Sequence, residues 1–236
     1  MRVVVYNVRG FRDGPGRVAA LLGSLEPDLL LLNETGGRRA LRRVSRVLGM
    51  EVAADPWSPL RRRVKNAVLA RPPWRLVSHR LHRFVRSQPL YPRGALIARV
   101  GRSGTRLWAV SIHLGLHPGE RRRHAEELAD MARGLGGPVV IGGDLNDTPD
   151  GRAPRHLAER FWDAWVTAAS ATASASDPGS GATFPATDPT ARIDYLFVSE
   201  GPVVVRAAVV QGELAAASSD HRPLMVELAL EGTGSG

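Results

Sequence analysis

The sequence predicts an α/β fold, because short β-rich runs alternate with helical patterns almost from the first residue. Its 236 residues are enough to fill one sizeable hydrophobic core. With 43% hydrophobic and 23% charged residues, the composition is that of an ordinary soluble globular protein. We therefore expect one domain over residues 1–230, followed by a flexible tail at 231–236.

Nine short apolar runs are predicted to be strands from their length and their content of β-branched and aliphatic residues. In order along the chain they are residues 2–8, 28–34, 66–70, 94–100, 106–114, 138–144, 192–199, 203–210 and 224–230.

Three segments, 15–25, 37–48 and 118–135, are predicted to be helices. In the third, Leu128, Met131 and Leu135 recur at helical spacing, and Pro118 suits the first turn. Residues 166–190 are biased toward Ala, Ser, Thr, Gly and Pro, which predicts that the middle of this segment is an irregular surface loop. Two roles stay open for this loop: a disordered tether, or a flap that faces the substrate.

The net charge of +9 favours anionic partners such as nucleic acid, phosphorylated metabolites or acidic membrane surfaces. Of the 32 basic residues only Lys65 is lysine, so 31 are arginine. This skew, with abundant alanine and glycine, is typical of GC-rich coding and weakens the charge as evidence for nucleic acid. Arginine nevertheless suits phosphate binding, because its guanidinium donates two parallel hydrogen bonds.

The absence of cysteine excludes disulfides, thiolate metal sites and a thiol nucleophile, and it is consistent with a reducing compartment. The apolar run at the N-terminus ends at Asn7, too soon for a signal peptide. No apolar run approaches the roughly 18–20 residues that span a bilayer. We expect a cytoplasmic monomer without a transmembrane segment.

Polar side chains recur where the predicted strands end. Eight of them lie at six strand edges: Asn7, Glu34, His113, Asp144, Asn146, Asp194, Asp220 and His221. Any single one has an ordinary structural explanation, such as a helix cap or a hydrogen-bonded core imidazole. Their recurrence favours a site, because strand ends hold ligands rigidly. The four carboxylates need protons or a cation to relieve their repulsion, which favours a hard divalent metal.

The adjacent pair Asp220 and His221 poses a geometric problem. Successive side chains on a regular strand face opposite ways, so both can serve one site only where the backbone bends. Pro223 makes such a bend plausible. The alternative is a simple turn with a solvated Asp220 and a half-buried His221.

Six segments in order, YNVRGF, LLLLNET, SIHLG, VVIGGDLND, RIDYLFVS and SDHRP, resemble the endonuclease/exonuclease/phosphatase superfamily. The resemblance covers residues 2–230. It implies a four-layer α/β sandwich of two packed mixed β-sheets flanked by helices, as in deoxyribonuclease I. It also implies hydrolysis of a phosphoester that depends on Mg²⁺, with Mn²⁺ as an alternative.

The resemblance also implies a role for each polar residue. Glu34 matches the principal Mg²⁺ ligand, with Asn7 beside the metal and Asp220 on the metal side. The implied catalytic residues are His113, Asp144, Asn146, Asp194 and His221. Asp144 would orient or deprotonate the attacking water, with Asn146 as its polar companion near the phosphate. His113 and His221 would donate to the scissile phosphate, and Asp194 would orient His221. Which of Asp144 and His221 is the general base stays open.

Two departures from the family pattern bear on the substrate. Many relatives have Gln before the metal-binding Glu, where this chain has Asn33, and Arg9 follows the deoxyribonuclease-type pattern. The candidate substrate-binding residues are Arg9, Arg61, Arg62, Arg63 and Asn66. The arginine triplet predicts either a phosphate-binding rim or a solvated loop.

Three functions stay open. The first is a nuclease, an endonuclease or exonuclease, that hydrolyses a phosphodiester bond. The second is a phosphatase or phosphodiesterase of a small molecule or lipid head group. The third is a non-catalytic anion-binding module, which is disfavoured because Glu34, Asp144, Asp194 and His221 are all present.

Overall fold

The computed structural model describes residues 1–56, 62–85, 91–171 and 179–230. Twelve strands lie in these ranges: β1 (Arg2–Asn7), β2 (Leu29–Asn33), β3 (Glu51–Ala54), β4 (Ala67–Ala70), β5 (Arg75–Arg83), β6 (Gly94–Arg102), β7 (Thr105–His113), β8 (Val139–Asp144), β9 (Trp162–Asp163), β10 (Asp194–Val198), β11 (Val203–Val209) and β12 (Leu224–Ala229). The same ranges hold six α-helices: α1 (Pro15–Ser24), α2 (Arg38–Leu48), α3 (Pro118–Arg133), α4 (Arg152–Ala158), α5 (Ala164–Ala171) and α6 (Glu213–Ser218).

The strands form two mixed six-stranded sheets. The first has the order β11-β12-β1-β2-β4-β3 and the second the order β5-β6-β7-β8-β10-β9. One apolar cluster fills the space between the sheets, a second joins the first sheet to α1, α2 and α6, and a third joins the second sheet to α3 and α4. The four-layer sandwich that the resemblance implied is confirmed.

The uninterrupted apolar runs follow from this burial on both faces. In β1, Val3 and Val5 face the second sheet, whereas Val4 and Tyr6 face the helices. Side chains alternate between the two faces of a strand, so each face needs its own apolar set. Asn7 continues the inward set at the end of the strand, and therefore points toward the second sheet.

The register brings the polar strand ends to one edge. His113 lies beside Asp144 in the parallel pair β7–β8, and Asp144 lies beside Asp194 in the antiparallel pair β8–β10. In the first sheet, Asn7 lies beside Asn33 in the parallel pair β1–β2. Five strand ends thus converge from two sheets on one small region.

A close approach of the sheets beneath this region depends on Gly142. A Cβ atom at this position would lie 2.6 Å from a methyl carbon of Val5 and 2.7 Å from one of Leu31, both in the first sheet. Such contacts are shorter than atoms tolerate, so a larger residue would push the sheets apart. Only glycine allows the separation at which side chains can bond across the interface.

The Asn33 side chain connects the sheets at the site. Its amide nitrogen donates to the carbonyl of Ile112 at 2.6 Å and lies 3.2 Å from Asn66 Oδ1 and 3.3 Å from Ser111 Oγ. Its amide oxygen accepts the backbone N–H of Asp144 at 3.1 Å. Because Asn33 is fully buried, these bonds satisfy groups that water cannot reach.

Several elements were not predicted. Most side chains of β5 are exposed or half-buried, so it lacks an apolar run, and β9 has only two residues. The start of the biased segment 166–190 belongs to α5, which continues through alanine-rich residues to Ala171, whereas the loop was predicted for its middle. Residues 172–178 lie outside the described ranges. Residues 179–190 are irregular, as expected for a loop, but they do not all lie on the surface, because Thr183 is buried.

The three predicted helices are confirmed with small shifts of their ends. α2 ends at Gly49, whose φ of 64° forms a left-handed cap. Pro118 occupies the first turn of α3, as expected. Among the helices that the structure describes, even the longest has only 16 residues, and none combines the length and apolarity needed to cross a membrane.

Replacing Asn33 by Ala should destabilise the protein by roughly 2–5 kcal/mol, because burial of a group without a partner costs about 1–3 kcal/mol. The backbone groups of Ile112 and Asp144 would lose their partner. Urea unfolding monitored by circular dichroism measures the loss. Gln211→Ala removes an exposed amide and serves as the control, with an expected change below about 0.5 kcal/mol. Equal effects of the two changes would contradict the bridging role of Asn33.

Candidate active site

Asp144 is the last residue of β8 and lies at the centre of the site. Asn7 Nδ2 donates to its Oδ2 at 3.0 Å from the opposite sheet, and the backbone N–H of Asn146 donates to its Oδ1 at 2.8 Å. The Asn146 side chain donates to the carbonyl of Leu114 at 3.1 Å. Each carboxylate oxygen of Asp144 therefore has a fixed partner, although the residue is almost fully buried.

Two imidazoles flank this carboxylate. His113 Nε2 lies 3.4 Å and His221 Nε2 lies 3.8 Å from Asp144 Oδ2. Burial alone would raise the pKa of Asp144, but the hydrogen bond to His113 and the charges of both imidazoles outweigh it. The pKa of Asp144 therefore lies well below its ordinary value, and Asp144 is an anion at neutral pH.

His221 is held from its other side by Asp194. His221 Nδ1 lies 2.8 Å from Asp194 Oδ2, and the Thr183 hydroxyl donates to the same oxygen at 2.6 Å. Burial would lower the pKa of His221, but the charges of Asp194, Asp144 and Asp220 and the hydrogen bond to Asp194 raise it to about 10. His221 is therefore an imidazolium at neutral pH, and Asp194 fixes its orientation, as the family resemblance implied.

The backbone bends at Asp220 and His221, as the sequence required. Ser219 Oγ donates to the carbonyl of Asn7 at 2.7 Å and ties this bend to the end of β1. His221 is only 5% exposed, which excludes the alternative of a half-buried histidine in a simple turn. Asp220 faces the other way, where its Oδ2 lies 3.2 Å from Arg9 Nε.

Glu34 directly follows β2 in a left-handed conformation with φ of 52°. Such a conformation is uncommon for a residue other than glycine, and it redirects the side chain as the strand ends. Glu34 Oε1 lies 4.0 Å from His113 Nε2, and the side chain is 43% exposed. Glu34 therefore lies at the solvent-facing side of the Asp144 cluster.

Asp144, Asp194 and His221 form a candidate metal site, because one ligand atom from each lies within 4.8 Å of the other two. Asp194 Oδ1 is buried and has no hydrogen-bond partner, so it has the capacity to bind a cation. Carboxylate oxygens are the donors that hard cations such as Mg²⁺ prefer. His221 fits such a role poorly, because Nδ1 is bonded to Asp194 and the raised pKa keeps the ring protonated.

The three predicted metal-binding residues have different surroundings. Asn7 uses its amide nitrogen on Asp144, and its amide oxygen accepts the backbone N–H of Arg9 at 3.1 Å. Asp220 is paired with Arg9, whereas Glu34 borders the site. The structure brings these side chains around one region, but their roles as ligands stay predictions.

A cleft of about 360 Å³ opens beside Glu34 and His113. Its cationic lining consists of Arg12, Arg62, Arg63, Lys65 and Arg93. Arg93 Nη1 lies 2.5 Å from both ring nitrogens of His113, so this guanidinium directly borders the cluster of His113 and Asp144. Burial lowers the pKa of Arg93. The negative charges of Asp144 and Glu34 act to raise this pKa, but burial is the larger effect. The cleft suits an anionic group.

The predicted substrate-binding residues do not form one rim. Arg62 lines the cleft, but Arg63 also bonds the buried carboxylate of Asp55 at 3.1 Å, and Arg61 lies outside the described residues. The assignment of Asn66 to substrate binding is corrected: its side chain is fully buried and donates to two backbone carbonyls. These two bonds tie Asn66 to Gly94 at the start of β6 and to Ser111 in β7, so Asn66 has a structural role. Arg9, paired with Asp220, keeps its assignment as a prediction.

Two site residues were missed in the sequence. Thr183 lies in the compositionally biased segment, where no periodicity distinguishes one hydroxyl from another. Arg93 is one of 31 arginines, and no local pattern separates it from the surface ones. Asn33 was noticed only as a departure from the family pattern, although a polar residue at a strand end is itself a signal.

Two packed sheets thus converge on a buried Asp–His cluster that is a candidate metal site, and a cationic cleft opens beside it. The family model described as the Endonuclease/Exonuclease/phosphatase family matches residues 4–221, and the chain belongs to this family. A comparison with curated proteins gave no significant match.

Solved structures share the fold at low sequence identity. An endonuclease/exonuclease/phosphatase from Bacteroides vulgatus is 18% identical, with a TM-score of 0.79 and 98% of each chain covered. D. rerio TDP2, in complex with a single-strand DNA product, is 17% identical, with a TM-score of 0.76 and coverage of 96% of this chain and 97% of that one. The mannosyl-6-phosphatase Bt3783 from Bacteroides thetaiotaomicron VPI-5482 is 18% identical, with a TM-score of 0.74 and coverage of 98% and 100%.

Replacing Asp194 by Asn should lower the pKa of His221 from about 10, because the largest favourable charge on the imidazolium is removed. NMR titration of the His221 ring in chelator measures this change. The folded-state pKa exceeds the ordinary histidine pKa of 6.5, so the stabilisation by protonated His221 is complete below about pH 6.5 and is lost as pH rises through about 10.

The difference in stability between wild type and Asp194→Asn should therefore shrink across that interval. Asp130→Asn, on the exposed side of α3, is the matched control and should leave the His221 titration unchanged. An unchanged His221 titration in Asp194→Asn would refute the pairing.

Proposed function

We propose that this protein is a nuclease that hydrolyses a phosphodiester bond with the aid of Mg²⁺ or Mn²⁺. The observation that carries the proposal is a buried anionic carboxylate, Asp144, flanked by two imidazoles, of which His113 lines a cationic cleft. A phosphodiester resists hydrolysis because its anionic centre repels the nucleophile and charge accumulates on its oxygens. The site offers groups that counter both effects.

The predicted ligands Glu34, Asn7 and Asp220 would hold the divalent cation beside Asp144, and the unpartnered Asp194 Oδ1 offers a further oxygen donor. When bound, the cation would supply a positive charge that neutralises the phosphoryl oxygens. Its presence would also relieve the repulsion among these carboxylates and use the unpartnered Asp194 Oδ1. The Asn7 side chain would keep Asp144 in place through its bond to Oδ2.

The protonation states suggest how the residues divide the chemistry. Asp144 is an anion, so it can accept a hydrogen bond from the attacking water and then its proton. His221 is protonated and oriented by Asp194, so it can donate to a phosphoryl oxygen but cannot act as the base in this state. We infer that Asp144 is the base and that His113 and His221 bind the phosphate.

The cleft favours nucleic acid over a substrate with a single phosphate. Five cationic residues line the cleft, and even without Arg63, which pairs with Asp55, they exceed what one phosphate requires, whereas successive phosphates of a strand would occupy several of them. Tyr91 lines the same cleft and is 67% exposed, which suits stacking against a base. The similarity in fold to a TDP2 structure that contains a DNA product is consistent with this proposal.

The volume of the cleft favours one alternative, a phosphatase or phosphodiesterase of small molecules. About 360 Å³ falls within the range of small-molecule sites. The fold is also similar to that of a mannosyl-6-phosphatase. The same catalytic residues would serve such a substrate, so only the substrate distinguishes the two functions.

Single-stranded and double-stranded DNA, RNA, sugar phosphates and bis-p-nitrophenyl phosphate should be assayed with Mg²⁺, Mn²⁺ or EDTA. We expect hydrolysis of an oligonucleotide that stops in EDTA and returns with either cation, because the candidate ligands are hard oxygen donors. Asp144→Asn should reduce the rate by about 10²–10⁴, the scale of a positioned base or electrostatic group.

Asp130→Asn is the control for this loss, because it removes an exposed aspartate of α3. Turnover that persists in EDTA would contradict metal dependence. Hydrolysis of sugar phosphates without hydrolysis of any oligonucleotide would favour the alternative function.

A further inference from the structure

Arginines dominate the exposed face of α2, where Val47 is the one exposed large hydrophobic residue. Its buried face packs Leu41, Val44 and Leu48 onto the first sheet. The outward positions Arg39, Arg42, Arg43 and Arg46 are all exposed, and their spacing of three, four and seven places them along one side of the helix. α2 contains no acidic residue. We call these four residues the arginine stripe.

The arginine-rich composition of the chain does not account for the stripe. On α3, two exposed arginines are matched by acids: Arg122 pairs with Glu126, and Arg133 pairs with Asp130. Within the described ranges no ion pair involves the stripe. The two helices therefore differ, because α3 carries acidic partners for its arginines and α2 carries none.

The stripe is also unfavourable for the helix itself. Like charges three or four residues apart repel each other, and cations near an N-terminus oppose the helix dipole. Arg39 lies in the first turn, where an acidic residue would be stabilising. A row of like charges that destabilises its own helix is expected where these charges bind a partner outside the protein.

The stripe begins beside the active site. α2 starts four residues after Glu34, and Arg63 of the cleft donates to the carbonyl of Gly36, next to the first turn. The seven helical steps from Arg39 to Arg46 span about 10 Å along the helix. With one phosphate per roughly 3.4 Å of a strand, this length matches about three phosphates.

We propose that the arginine stripe binds the sugar–phosphate backbone of a nucleic-acid strand that leaves the cleft, so that the substrate is a polymer. This rests on the proposed nuclease function. Guanidinium groups bind phosphate through two parallel hydrogen bonds. A membrane surface fits less well, because interfacial helices insert an apolar face and that of α2 is buried in the core.

The test compares two variants with the same loss of charge. One changes the stripe (Arg39, Arg42, Arg43 and Arg46) to Gln, a residue that favours helix. The other changes four scattered exposed arginines, Arg80, Arg102, Arg106 and Arg206, to Gln. Both are made in the full chain with Asp144→Asn to suppress turnover. Binding of a fluorescent single-stranded oligonucleotide in Mg²⁺ is then followed by anisotropy across a salt series.

We expect the stripe variant to flatten the log–log salt dependence by about 2–3, because each phosphate of a single strand that the protein neutralises adds roughly 0.7 to the slope. The scattered variant should change the slope by less than about 1, because isolated charges do not follow a strand. A third variant with Lys at the four stripe positions should keep most of the slope. If the fourfold Gln variant fails to fold, Arg42→Gln with Arg46→Gln should still flatten the slope by about 1, whereas Arg102→Gln with Arg206→Gln should leave it nearly unchanged.

Equal slopes in the stripe and scattered variants would overturn the proposal, because net charge alone would then explain binding. Loss of binding to phosphatidylserine vesicles without loss of oligonucleotide binding would overturn it in favour of a membrane surface. Failure of the nuclease function looks different: the unsubstituted protein would bind the oligonucleotide through the stripe but would not hydrolyse it.

Discussion

The site depends on one buried carboxylate, Asp144, held at the junction of two sheets. Its oxygens are fixed by Asn7 from one sheet and by the backbone of Asn146 from the other. The two imidazoles beside it compensate for its burial, and the network extends through Asp194 to Thr183. Because a buried charge is costly unless it is paired and hydrogen-bonded, each of these groups depends on the others.

The need to hold a buried carboxylate between two sheets also explains the structure beneath the site. Gly142 allows the sheets to approach, and the Asn33 amide then satisfies backbone groups of both strands that end there. Polar residues at this end and apolar residues behind it form one continuous inter-sheet layer. The inter-sheet core therefore holds the polar residues of the site in place. The cationic cleft and the arginine stripe add positive charge on the surface around the site.

Much of this arrangement could be predicted from sequence, because polar residues that end apolar runs are unusual. The residues Asn7, His113, Asp144, Asp194 and His221 were identified in that way. Which face each side chain takes could not be predicted, because both faces of these strands are apolar. Edge strand β5 lacks an apolar run, and the hydroxyl of Thr183 becomes distinctive only through its contact with Asp194. Contacts of this kind depend on tertiary structure, which local patterns do not contain.

The central claim is that Asp194 and His221 act as a unit beside Asp144. A double-mutant cycle on the rate of phosphodiester hydrolysis tests it most directly, with Asp194→Asn, His221→Gln and the double variant compared at saturating Mg²⁺. If Asp194 acts through His221, the double variant should lose about as much rate as His221→Gln alone, so that the losses are far from multiplicative. Independent, multiplicative losses would contradict the account.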